Sequence, residues 1–231
     1  MHSPLLSTIA WIALASGIGT AIVMIVDIAS GRRQAMKIME ITWPVTGLYM
    51  GPLAWWAYVR FGRASKADAS AHAGHTHHHG EHRKPYWQSV FVSVTHCGGG
   101  CTIGDIISDT GLYLSGFVLF GSTLLTSYTF DFILAFVIGI LFQYLPIRAM
   151  GEPSRWRALI KALKADTLSL IAFEVGLFGW MALVQKLWFA PGLDAADPVF
   201  WFMMQIGMSV GFVTAYPANW WLVKKGIKHG M

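Results

Sequence analysis

The segment Thr95-His96-Cys97-Gly98-Gly99-Gly100-Cys101-Thr102-Ile103-Gly104-Asp105 gathers both cysteines of the chain, an imidazole and a carboxylate into eleven residues. Thiolates and imidazoles are the soft and borderline ligands of transition metals, and thiol pairs also exchange disulfides. Cys97, Cys101, Asp105 and Asp109 recur every four residues, so on a continuous helix they form one slowly drifting stripe with His96 one position off it. Two thiolates with an imidazole or thioether suffice for Cu(I), and softness favours copper. His96, Cys97, Cys101 and Asp105 also supply the four ligands of a closed zinc site. Two other readings fit the same residues. A reversible Cys97–Cys101 disulfide would make a thiol oxidoreductase, although the usual two-residue spacing is absent. Alternatively the glycines serve helix packing, the cysteines act as small hydrophobes and Asp105 caps a restarted helix.

Further candidates lie outside that segment. Met204 and Met208 share a helical face and could form a second soft-metal station, while Gly207 and Gly211 on the same segment fit plain helix packing. Glu174 lies inside an apolar run, with Gln143 and Gln205 in two others. An intramembrane acid is a candidate for proton-linked transport or gating, and Asp109 and Gln143 join it there. The run from His72 to His82, including His75, His77 and His79, could collect a first-row metal. No phosphate-binding glycine loop, nucleophile elbow or His-Glu-x-x-His helix occurs, which argues against nucleotide or ordinary hydrolase chemistry.

The elements that must hold these residues are membrane helices. Of 231 residues, 55% are hydrophobic and 13% charged, with a mean hydropathy of +0.50, which is too apolar for an ordinary soluble domain. The pI near 9.3 does not imply nucleic acid, because the basic residues flank apolar runs as the positive-inside bias requires. The expected fold is an all-α transmembrane bundle of about six spans in three parts. Residues 1–61 hold two transmembrane helices, 62–85 a His-rich flexible linker, and 86–231 the main membrane domain. Tyr86 to Tyr128 is too long for one span, so a helix break is expected within 96–105, at Gly98-Gly99-Gly100. Arg155 to Lys164 reads as a separate amphipathic surface segment.

Six spans put the 148–164 loop, the linker and the C-terminal lysines in the cytoplasm but leave Arg32, Arg33 and Lys37 outside. Seven spans would reverse that misfit and send Arg60, Arg63, Lys66, Arg83 and Lys84 out, a slightly worse count.

Several motifs carry a family resemblance. They include Gly31-Arg32-Arg33-Gln34-Ala35-Met36, Trp43-Pro44, Tyr49-Met50-Gly51-Pro52, His96 to Cys101 with Gly104-Asp105, Phe142-Gln143-Tyr144, Lys164-Ala165-Asp166, Phe173-Glu174-Val175-Gly176, Met204 to Met208 and Tyr216 to Trp220. On these the chain resembles an uncharacterised family of prokaryotic membrane proteins, domain of unknown function 4396, whose members are sometimes labelled copper oxidase. The resemblance implies a polytopic protein of the bacterial inner membrane and hints at copper. It implies no oxidase site, since a blue-copper centre needs a second histidine where His96-Cys97 is followed by glycines.

The expected function is binding of a soft transition metal, copper before zinc, for transport or hand-over to a donor or acceptor protein. The alternatives are a non-catalytic assembly factor or accessory subunit of a larger membrane complex, and the thiol oxidoreductase. The expected surroundings are the lipid bilayer, a homo-oligomer is compatible with the sequence, and no nucleic acid is expected.

Overall fold

A computed structural model describes residues 3–34, 36–64, 85–119, 121–190 and 192–228. The described residues contain helices and no strands, so the all-α membrane bundle is confirmed. The elements are α1 (Pro4–Ala29), α2 (Met39–Met50), α3 (Pro52–Ala57, prolonged by a π-helical turn Tyr58–Gly62), α4 (Tyr86–Ser115), α5 (Thr123–Ala149), α6 (Arg155–Leu183, with a π-helical turn Val184–Trp188) and α7 (Pro198–Lys224). Among these, α1, α4, α5, α6 and α7 are long and apolar enough to cross a membrane.

The expected second span does not cross. Gly51, at φ 54°, ends α2, and Pro52 starts α3 with its ring at the first helical position. Gly51 sits against Ser16 at the middle of α1, and Gly47 lies one turn further along, against Ala21 and Met24. The chain then turns back. Tyr58 and Arg63, after α3, bind Asp27 near the end of α1, and Trp43 of α2 packs edge-on against Tyr58 and Phe61. α2 and α3 are therefore the two arms of a re-entrant hairpin whose tip lies halfway along α1. Such irregular backbone is tolerated at membrane depth where protein covers it. At this tip Gln205 of α7 donates a hydrogen bond to the Leu48 carbonyl at 2.6 Å. Where two spans were expected in residues 1–61 there is one long apolar helix and this hairpin, so that among the described residues five helices, not six or seven, are long and apolar enough to cross. Hydropathy could not distinguish the two, because both arms are apolar and their combined length equals a span.

The hairpin also resolves the charge misfit. The end of α1, both ends of the hairpin, the starts of α4 and α6 and the ends of α5 and α7 share one face, tied by Asp27–Arg63, by the Phe61–Trp87 rings and by Tyr86 donating to the Trp220 carbonyl. Among the described residues every Lys and Arg except Lys186 belongs to the segments at this face.

α4 is the central helix. Gly98-Gly99-Gly100 does not break it, contrary to the sequence expectation; the run from Tyr86 to Ser115 is one helix, and the break falls at left-handed Gly116. The three glycines admit three neighbours instead. A Cβ on Gly98 would meet Phe173 of α6 at 3.0 Å, one on Gly99 would meet Thr42 of α2 at 2.7 Å, and one on Gly100 would meet the Gly139 backbone of α5 at 2.8 Å. Each glycine costs a helix roughly 1 kcal/mol relative to alanine, and close backbone packing, the main adhesive between helices in lipid, offsets it. Asp105 consequently caps no restarted helix. Arg155 to Lys164 is likewise continuous with the rest of α6 rather than a separate surface segment.

Candidate functional site

Because α4 is unbroken and central, its i, i+4 stripe runs inside the bundle rather than along a surface. His96, Cys101 and Asp105 are fully buried, Cys97 is 1% exposed and Asp109 6%. Both cysteines are free thiols. Around this stripe the fold assembles a file of polar groups in two sections.

The section toward the basic face is hydrogen-bonded. Lys228, just past α7, folds back so that its side chain is wholly buried with that of Asp166 on α6. Its Nζ donates to Asp166 Oδ1 at 2.6 Å and to Asn219 Oδ1 at 2.9 Å. Asn219 Nδ2 donates to Ser169 Oγ, and Ser169 Oγ donates to Cys97 Sγ at 3.1 Å. Burial disfavours the ammonium charge, but the Asp166 carboxylate outweighs it and holds Lys228 above the usual lysine range. His96 lies beside this section, fully buried, with the Gln143 amide against its ring and Asp166 and Lys228 nearby.

The section toward the other face is acidic. Cys101 adjoins Cys97 one turn along α4 and faces Glu174 on α6. Asp105 comes next, neighboured by Glu174, Asp109 and Asp131. Asp105 and Glu174 are 0% and 2% exposed; both Asp105 carboxyl oxygens lack a hydrogen-bond partner, and Glu174 has the Cys101 thiol beside it. An ionised carboxylate is costly in an apolar interior, which makes both acids candidates for a functional role. Asp109 and Asp131 then converge on Ser127 of α5.

The hairpin tip completes the middle of the file. Tyr49 neighbours both cysteines, its hydroxyl buried beside Thr46. Tyr49 also lines a groove of about 270 Å³ between α1, the tip and α7, together with Ser16, Gly51, Gln205 and Ser209. Met204 and Met208 are buried in the same packed cluster as Tyr49, Cys97 and Cys101. The structure thus brings Cys97, Cys101, Asp105, Asp109 and Glu174 into one file and leaves His96 and Gln143 at its basic end. His75, His77 and His79 lie outside the described residues.

Among the described residues no three His, Cys, Asp or Glu side chains converge into a group able to hold a metal ion. The proposed His96-Cys97-Cys101-Asp105 quartet is therefore not preassembled as a four-ligand site. On a continuous helix these residues span more than two turns, and His96 points off the stripe. Two neighbouring thiols remain, which is a sufficient set for two-coordinate Cu(I).

Residues 86–228 match the family described as a domain of unknown function (DUF4396). The chain belongs to this family. The match covers α4 to α7 and Lys228, hence all of the file except the hairpin's Tyr49. No curated protein and no solved structure matches the chain.

Sequence reasoning missed Asp131, Ser127, Asp166, Ser169, Asn219 and Lys228. Asp131 had a signal, an acid inside the apolar run Phe130–Leu141. Lys228 had none, since a lysine after a last span reads as an interfacial charge. Outside the file, Asp27 pairs with Arg32 at 3.4 Å and with Arg63, while Arg33 pairs with Glu40 at 2.6 Å.

Proposed function

We propose that this protein handles a soft cation inside the membrane, with Cu(I) the favoured cargo, and passes it across the bilayer or to a partner protein. The observation that carries the reading is the pair of neighbouring buried thiols, Cys97 and Cys101, with the buried Glu174 carboxyl beside the Cys101 thiol. Two thiolates favour a soft monovalent ion, and burial of both sulfurs supports ligation over exchange with a partner thiol. A Cu(I) ion held between Cys97 and Cys101 takes both as thiolates, so each thiol proton leaves as it enters, and the neighbouring Glu174 carboxyl is placed to accept the Cys101 proton. Met204 and Met208 serve as a second soft station in the same cluster, and Tyr49 sets the approach from the groove. By the positive-inside bias the basic face is cytoplasmic, which places the end of α7 inside, in a bacterial inner membrane.

Metal content of the detergent-purified protein tests this. Near-stoichiometric copper in the parent protein, lost in the Cys97→Ala/Cys101→Ala variant and kept when residues 70–82 are deleted, supports the site. Absence of metal, or metal lost only with the deletion, overturns it in favour of an accessory membrane subunit. Zinc in place of copper would keep the site and change the cargo.

A further inference from the structure

Ser127 Oγ lies 2.6 Å from Asp109 Oδ1 and 2.8 Å from Asp131 Oδ2. A serine hydroxyl carries one hydrogen, so it donates along only one of these contacts. The other would set lone pair against lone pair at hydrogen-bond distance unless the carboxyl itself brings a proton. The arrangement therefore holds two protons among three groups, one on the serine and one on a carboxyl. Asp131 is the better carrier: it is the more buried of the two, and burial penalises a carboxylate more than a neutral acid.

Two independent features point into this cluster. Ser108 Oγ, on a side chain 3% exposed, lies beside Asp131 as a second hydroxyl partner for its carboxyl. Asp105, wholly buried and unpartnered, links the cluster back to Glu174 and the thiols. The titratable groups facing it are Asp105 from α4, Tyr128 from α5 and Glu174 from α6, all acids. None supplies a cation.

We infer that Asp109, Ser127 and Asp131 form a proton-binding station that relays protons between the buried file and the face opposite the basic one. In one transfer the Asp131 O–H bond breaks as its proton joins Ser127 Oγ, the original Ser127 O–H bond breaks, and that proton forms an O–H bond on Asp109. No electrons change hands and one proton advances. Asp109, six residues from the end of α4, then exchanges it with water at that face. The coupling of this relay to cargo rests on the metal reading above, whereas the shared proton does not.

Infrared difference spectroscopy of the metal-free, full-length protein reads the carboxyl C=O stretch that only a protonated acid shows. Asp105 and Glu174 give protonated-carboxyl bands of their own, and one further deuterium-sensitive carboxyl band is expected from the station. It should disappear in Asp131→Asn, shift to higher frequency in Ser127→Ala as the hydrogen bond is lost, and return to its parent position in Ser127→Thr. A band unchanged in both Asp131→Asn and Ser127→Ala would overturn the station. Proteoliposomes with an internal pH dye, given Cu(I), read the relay: proton movement should accompany copper and fall at least tenfold in Ser127→Ala. Copper movement with an undiminished proton signal in that variant overturns the relay and leaves the metal reading intact. Loss of copper binding in the parent protein overturns the metal reading while the infrared band survives.

Discussion

The two ends of the polar file solve the same problem differently. At the basic end the chain supplies its own cation. Lys228 neutralises Asp166, and Asn219, Ser169 and Cys97 continue an unbroken chain of hydrogen bonds. At the other end Glu174, Asp105, Asp131 and Asp109 gather with no Lys or Arg among their neighbours; only serine hydroxyls and the Cys101 thiol lie beside them, and both Asp105 oxygens are unpartnered. The first end is built to stay as it is, because removing any member leaves a buried charge or dipole unmatched. The second end holds acids with no cation of its own among the described residues, and intramembrane acids of that kind are candidates for proton or ion handling.

The contrast breaks most sharply at Lys228. Lys228→Met should cost about 3–5 kcal/mol in reversible detergent unfolding, because Asp166 is left charged and unpaired, and Lys228→Met/Asp166→Leu should recover most of it. If the single variant is neutral, the basic end is not a structural lock. The central glycines come next. Gly104→Ala drives a Cβ into the Ala135 backbone and should cost about 1–3 kcal/mol, while Gly111→Ala, on the same helix with open space around it, should gain about 0.5–1 kcal/mol. Equal effects would show that the approach of α5 to the stripe is not tight.

At the acidic end the expected stability effect is smaller and the functional one larger. Asp105→Asn and Glu174→Gln should change unfolding by less than about 1 kcal/mol, or stabilise, since each removes a buried acid with no Lys or Arg beside it. Glu174→Gln should at the same time lower copper content several-fold. A large loss of stability here would make the two ends alike. The smallest effect concerns Glu152, at the basic face, where Lys161 first and Arg157 further on hold the carboxyl below the usual glutamate range. Its contribution is full above the ordinary value of 4.5 and fades as pH falls through the depressed one, so Glu152→Gln should flatten acid destabilisation slightly below pH 4.5. An unaltered acid limb would show that this surface pair contributes nothing.

The stripe was legible because i, i+4 spacing survives translation into a helix whatever surrounds it. Glu174 was legible because an acid in an apolar run is rare enough to flag itself. The glycine run misled because local propensity favours a break there, and only the neighbours at Gly98, Gly99 and Gly100 reveal three close approaches that keep the helix whole. Asp131 stood in plain view as an acid at the start of an apolar run, but its pairing with Asp109 through Ser127 links two helices and has no signature along one.

Composition and hydropathy by themselves determined that this is a helical membrane protein, and spacing determined that thiols and carboxylates share a helical face. Both follow from the requirement that a spanning segment satisfy its own backbone and hide its polar groups. Tertiary structure alone decided that residues 39–62 turn back halfway, that Lys228 reaches Asp166, and that four acids meet without a basic partner. Those outcomes depend on which helix faces lie against one another, a property of packing between distant segments that no local pattern encodes.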